Sequence, residues 1–268
     1  MTAKLRFTIL GCGSSGGVPR IGGEWGDCDP TNSKNRRRRC SMLVERVTEQ
    51  GTTRVLIDTS PDMREQLLDA GIATLDAVVF THSHADHTHG LDDLRQVVFN
   101  TRRRLPVWAD MPTQTALLDR FRYAFEQIPG SSYPPILDLH LIDGPVTVTG
   151  AGGDVTLQPF LAYHGGMDAL GFRIGGLAYL PDAVEIPDPG WELLKGLDVW
   201  VVDALRRKPH PTHAHLDMTL DWIARARPAR AVLTNMHIDL DYATLEAETP
   251  DHITPAFDGM VIEIVAPE

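Results

Sequence analysis

Short apolar, β-branched runs alternate along this chain with stretches of helical spacing. Strands are predicted at Leu5–Leu10, Ser41–Arg46, Arg54–Asp58 and Ala77–Phe80. Ser60-Pro61-Asp62 reads as a helix start, with Ser60 as N-cap and Pro61 at the first helical position, and the helix should run to Ala70-Gly71. Leu91–Phe99 and Thr113–Phe125 are predicted as further helices. Pro, Gly and Ser between Gln127 and Pro135 predict a loop that could border a site as a lid. Strands return at Leu137–Ile142, Val155–Tyr163, Phe172–Leu180 and Val199–Val202, followed by a helix at Leu216–Ala226 and strands at Ala231–Thr234 and Met260–Val265. The two halves repeat the same order of elements, and no linker separates them. The pattern suits an α/β fold in one domain spanning 1–268: two mixed sheets packed together with helices outside, a four-layer sandwich.

The Asp76–Phe80 run ends in Thr81-His82-Ser83-His84-Ala85-Asp86-His87. A strand end followed by a tight loop can aim alternate side chains at one place, and imidazole with carboxylate suits Zn²⁺, Mn²⁺ or Fe. His82 and His84 are spaced for one ion, and Asp86 and His87 for a second. Four ligands cannot close two ions, so others must come from further strand ends. His164 follows Val155–Tyr163, Asp182 follows Gly176–Pro181, and His237 follows Ala231–Met236. Two divalent ions about 3.5–4 Å apart make hydroxide available near neutral pH and stabilise charge on a substrate oxygen, so hydrolysis is the expected chemistry.

Composition narrows the partners. The 268 residues carry a net charge of −11 with 43% hydrophobic content, which allows a large core and opposes binding to nucleic acid or an anionic membrane. With no apolar segment long enough for a signal peptide or a membrane span, a cytoplasmic protein is expected. The three cysteines, Cys12, Cys28 and Cys40, make no disulfide framework. Gly11-Cys12-Gly13-Ser14-Ser15-Gly16 satisfies a dinucleotide motif, but Gly17, Val18-Pro19, Gly22 and Gly23 forbid the helix such a motif must open. The basic run Arg36-Arg37-Arg38-Arg39 is expected to be a solvated or salt-bridged face, although contact with substrate stays open.

In the order Asp58, His82-Ser83-His84-Ala85-Asp86-His87, His164, Asp182 and His237, the chain resembles the metallo-β-lactamase fold superfamily, an αββα sandwich. The resemblance implies that His82, His84 and His164 hold one metal. Asp86, His87 and His237 would hold the other, with Asp182 bridging and Asp58 orienting the histidine loop. Leu205-Arg206-Arg207-Lys208-Pro209-His210-Pro211-Thr212-His213-Ala214-His215-Leu216 looks like the phosphodiesterase branch, where a histidine in this place helps hold the phosphate and protonate the leaving group. His213 takes that role by motif match, with His215 as the alternative; Asp86 is also assigned to catalysis, and His215 and His89 are added as substrate-binding candidates.

Gly11–Pro19, together with His84–Arg95, is similar to the phosphoribosyl 1,2-cyclic phosphate phosphodiesterase group of the carbon-phosphorus lyase pathway. That group often carries a structural zinc held by clustered cysteines and a later histidine. Here Cys28 stands alone and the later position is Leu240, so no structural zinc is expected. The expected cofactors are two divalent ions, Mn²⁺ or Zn²⁺. The expected ligand is a small cyclic or nucleotide-like phosphodiester or a nucleoside monophosphate. The state of association, including a homodimer, is left open. The alternatives are a tRNA 3′-processing nuclease, which would need an arm for tRNA that is not seen here, a lactam or thioester hydrolase, and a non-catalytic nucleotide sensor.

Overall fold

The computed structural model describes residues 3–127 and 129–266. Two sheets of seven strands each form its centre. The first contains β1 (Lys4–Gly11), β2 (Ser41–Thr48), β3 (Gly51–Ile57), β4 (Ala77–Val79), β5 (Leu105–Ala109) and β6 (Leu137–Leu141). The second contains β7 (Val146–Val148), β8 (Val155–His164), β9 (Met167–Ile174), β10 (Leu177–Leu180), β11 (Val199–Asp203), β12 (Arg230–Thr234) and β13 (Ile253–Pro255). The last strand, β14 (Met260–Val265), crosses back to pair antiparallel with β1. In each sheet the early strands form an antiparallel meander and the later ones run parallel. The repeated order of elements expected from the sequence is therefore present, as are the two mixed sheets.

Alternation along the strands builds two cores. Val55 and Ile57 of β3, and Ala77 and Val79 of β4, face the second sheet. Leu56 and Val78 between them face the helices α1 (Met63–Asp69), α3 (Leu94–Thr101) and α4 (Met111–Phe125). On the other side, α6 (Leu216–Ala226) seats Leu216 and Ile223 on the second sheet. Strand β11 is buried at all five positions, as expected of a parallel strand covered on both faces. Among the described residues no helix is long and apolar enough to cross a membrane.

Several expectations are corrected. Phe172–Leu180 is two strands, because Gly175, at φ 58°, turns the chain between β9 and β10. The first helix starts at Met63, not at Pro61: the Ser60 hydroxyl accepts from the Asp62 amide at 3.1 Å and forms a turn ahead of it. Leu91–Asp93 is a 3-10 turn before α3. The 127–135 loop, of which residue 128 lies outside the described residues, is no lid on the metal motif. Its Ser131, Tyr133 and Pro134 line an outer cavity of about 520 Å³ with Phe99 and Tyr123. At Arg36–Arg39 the expected solvated or salt-bridged face holds for Arg38, paired with Asp69 and Asp258, and for Arg39, paired with Asp62, but Arg37 turns inward and is 2% exposed.

Candidate metal centre

Strands β3, β4, β8, β10, β11 and β12 end on one edge of the sandwich and deliver Asp58, His82, His164, Asp182, Asp203 and His237 there. The short helix α2 (Ala85–Thr88) follows the first histidines, with His84 at its N-cap position and the Thr88 hydroxyl donating to the His84 carbonyl at 2.9 Å. This turn brings Asp86 and His87 back beside His82.

His82, His84, His164 and Asp182 each offer a ligand atom within 4.8 Å of the others. His84 Nδ1 lies 3.1 Å from His82 Nε2 and 3.1 Å from His164 Nε2. Asp182 Oδ2 lies 3.4 Å from His82 Nε2 and 3.6 Å from His164 Nε2. Ligands about 2.0–2.2 Å from a tetrahedral ion stand roughly 3.3–3.6 Å apart, so these spacings are close to the edges of a metal tetrahedron.

The tautomers agree. Asp58 Oδ1 accepts from the Thr81 amide at 2.8 Å, and Oδ2 accepts from the Thr81 hydroxyl at 2.7 Å. That hydroxyl must then accept from His82 Nδ1–H, 2.9 Å away, which leaves a lone pair on His82 Nε2. His164 Nδ1–H donates to the Thr212 carbonyl at 2.7 Å, with the same result. Only glycine fits after His164, because a Cβ at Gly165 would stand 2.3 Å from Thr212 Cγ2. Burial lowers the pKa of His82, His84 and His164, keeping them neutral and able to ligate. Burial raises Asp182, but His87 and then His82 outweigh it and hold the carboxylate ionised.

A second group adjoins the first. His87 Nδ1 is held by Asp58 Oδ2 at 2.7 Å, so Nε2 faces Asp182 Oδ2 at 3.4 Å and Asp86 Oδ2 at 3.6 Å. Burial lowers the His87 pKa, yet Asp182 and Asp58 lift it well above the usual range. His87 Nε2 and Asp182 Oδ1 are buried with no hydrogen-bond partner. Orphaned buried atoms of this kind are costly unless a cation meets them. His237 stands apart: Nδ1 pairs with Asp239 Oδ1 at 3.1 Å, and Nε2 is in close contact with Arg20 Nη2.

Beside His164, the His213 ring lies 4.4 Å away, centroid to centroid, with Nδ1 2.9 Å from Asp203 Oδ2. Burial lowers the His213 pKa, but Asp203 outweighs it and lifts it to about 9. Asp203 is itself fixed by the Ala183 amide at 3.1 Å and Asn235 Nδ2 at 3.1 Å. Sequence reasoning did not single out Asp203, although it ends the Val199–Val202 run as Asp182 ends its own. His89 caps α2 and packs edge-on against Phe121, and His215 caps α6. Among the described residues neither has a hydrogen bond or ring contact with the converging group. The glycines at 11 and 13 serve close packing: a Cβ there would meet Arg39 O at 2.1 Å and Arg37 Cβ at 2.9 Å.

The family model for the β-lactamase superfamily domain matches residues 53–238, most of the chain and every candidate metal ligand from His82 to His237. The chain belongs to the β-lactamase superfamily. A crystal structure of a diphosphatase from the PhnP family is 35% identical, covers 98% of each chain and superposes with a TM-score of 0.87. The octanoyltransferase of Porphyromonas gingivalis is 37% identical over 263 residues, 96% of this chain, but the chain spans only 51% of that protein. Zn²⁺-bound PqqB from Methylobacterium extorquens, 18% identical over 97% of this chain and 100% of its own, shares the fold at a TM-score of 0.72. On this superfamily fold the His/Asp cluster is of the kind that can hold divalent metal.

Proposed function

We propose that the chain is a dinuclear metal-dependent phosphodiesterase acting on a small cyclic or nucleotide-like phosphodiester. His82, His84, His164 and Asp182 would hold the first ion, and Asp86, His87 and His237 would complete the second around Asp182. When bound, a pair of Mn²⁺ or Zn²⁺ ions supplies the Lewis acidity that activates water near neutral pH and draws charge from a phosphoryl oxygen.

The observation that carries the reading is the Asp203–His213 pair beside His164. With Nδ1 committed to Asp203, protonated His213 presents Nε2–H as the donor to a departing oxygen. Asp203 keeps that ring charged and oriented, and Asn235 and the Ala183 amide keep Asp203 in place. Asp86, 18% exposed and 3.6 Å from His87 Nε2, would stand beside the attacking water.

The PhnP-family neighbour is a diphosphatase, and the inner phosphorus of an esterified diphosphate carries two O-links, as the phosphorus of a diester does. Octanoyl transfer has no such support. The name belongs to a protein about twice as long. Cys12, Cys28 and Cys40 are all buried, with burial pushing each thiol up, so none offers an acyl-accepting thiolate.

Bis(p-nitrophenyl) phosphate tests the reading on protein loaded with Mn²⁺ or Zn²⁺. Release of p-nitrophenol is expected with at least one metal, and none with either, in protein shown to bind two ions, would overturn it. Precursor tRNA should stay uncut in the same preparation.

A further inference from the structure

We propose that two copies of this chain join through β14, whose free edges pair antiparallel about a two-fold axis at Glu263 and carry one sheet through both copies. Each sheet has two outer strands, β14 and β6 in the first, β13 and β7 in the second. Proteins protect such edges with short strands, proline or charge, because unpaired amides and carbonyls are a template for another chain. Strands β7 and β13 have three residues each, and β13 ends in Pro255. Strand β6 alternates its leucines with Asp138 and His140. By contrast, Met260-Val261-Ile262-Glu263-Ile264-Val265 runs for six residues without proline. Its Val261 and Val265 are 52% and 72% exposed.

The hydrogen bonds to β1 fix which backbone groups of β14 are free. Ala266 N donates to Ala3 O at 3.0 Å, and bonded pairs fall on every second residue of an antiparallel ladder, so Ile264 and Ile262 bond to Leu5 and Phe7 of β1. The amides and carbonyls of Val261, Glu263 and Val265 therefore point out of the sheet edge. An axis at Glu263 sets these same residues opposite one another: Val261 on Val265, Glu263 on Glu263 and Val265 on Val261. Each pair then exchanges N–H···O bonds in both directions, as an isologous contact requires. On the inner face Ile262 falls opposite Ile264. A slip of one residue would set inner side chains against outer ones, and an axis at Ile262 or Ile264 would leave outward groups of β14 unpaired.

The side chains suit this register. All the facing pairs are apolar except the central one, and like charges placed directly opposite would oppose it. Those carboxylates are already matched, however. Glu263 lies 3.2 Å from Lys4 and 3.0 Å from Arg6, which also reaches Glu45 at 3.9 Å. The outer face is open to a second chain, since a cavity of about 560 Å³ lies over Arg6, Thr8, Val261 and Glu263.

Sedimentation over about 1–100 µM, where small reversible interfaces dissociate, should show the wild type passing from one chain to two. Val265→Lys puts a charge on the exposed edge, and Glu263→Pro removes an N–H that β1 does not use. Both should stay monomeric with the circular dichroism of the wild type. The register is read by cross-linking, against Cys12, Cys28 and Cys40, which are all buried. Oxidised with copper phenanthroline, Glu263→Cys should give a covalent dimer on a non-reducing gel, because the facing Cα atoms would stand about 5.5 Å apart. Val265→Cys should not, its two copies being about 14 Å apart. A wild type that is monomeric throughout, a dimer that survives either Val265→Lys or Glu263→Pro, or cross-linking of Val265→Cys as readily as Glu263→Cys overturns the proposal.

Discussion

Around Asp182 the proposed two-metal centre would have two halves, and they differ in what holds their outermost ligand. His164 is pinned by the Thr212 carbonyl at 2.7 Å and already lies within ligand spacing of His84 and Asp182. His237 is tied to Asp239 and Arg20 instead, on a segment outside the two sheets. The first half is a product of strand ends and fixed tautomers. The second depends on how the 12–39 segment clamps the chain after β12: Met236 N bonds Cys12 O at 2.9 Å, Asp27 N bonds Ile238 O at 2.8 Å, and buried Arg37 reaches the His237 carbonyl at 3.4 Å. A sandwich can thus preform one position and leave the other to be completed on loading.

The largest effects should separate the halves. His164→Ala should remove the tightly held metal equivalent and lower kcat/KM by roughly a thousandfold, the loss of several kcal/mol of Lewis-acid stabilisation. His237→Ala should cost one equivalent while leaving the affinity of the other within a few-fold, as read by metal titration. If both variants lose both ions together, the two halves are not independent.

His213 comes next. His213→Ala should lower kcat by about 10²- to 10⁴-fold, the range for a positioned acid. Raised to about 9, His213 is protonated below that pH and loses its proton as pH rises through it. Activity should therefore fall on the alkaline side. Asp203→Asn, which removes the carboxylate that lifts His213, should move that falling limb down by about 1–3 pH units. A limb that stays in place would mean a different group sets it.

A smaller effect is expected at Asp58, which touches His87 and, through Thr81, orients His82. Asp58→Asn should weaken metal binding by about 10- to 100-fold without removing any ligand. Because Asp58 steadies one histidine in each half, both equivalents should weaken, unlike in His237→Ala.

How much of this is legible in the sequence follows the same division. His82 to His87 are local, and the strand-end rule places His164 and Asp182, so the order of residues along the chain is enough to assemble the first half. Asp203 obeys the same rule after Val199–Val202, but a lone carboxylate there looks like any strand terminus until His213 is seen against it. Strand β5 escapes periodicity because Pro106 argues against a central strand, and β7 and β13, three residues each, are too short to show alternation. Arg20 and Arg37 are set by tertiary contacts across more than 190 residues of chain. Nothing in Arg36-Arg37-Arg38-Arg39 marks which guanidinium goes inside.

The clamp behind His237 offers the gentlest test. Asp241 caps α7 (Tyr242–Glu248), accepts from the Thr244 amide at 2.9 Å and the Asp29 amide at 3.0 Å, and takes Asn35 Nδ2 at 2.6 Å. Burial pushes its carboxyl up, but these donors outweigh it and hold the pKa down to about 2. An unfolded Asp titrates near 3.9. The folded value is the lower one, so the contribution is complete above about pH 4 and is lost as pH falls through about 2. Asp241→Asn should therefore lower the melting temperature at pH 7, and the gap to wild type should narrow steadily as the pH falls from 4 to 2. Because the cap supports only the His237 side, binding of the first metal equivalent should stay within twofold at pH 7 while the second weakens. A variant that loses both equally would show the clamp to serve the whole edge of the sandwich, and the division between a preformed and a completed half would go with it.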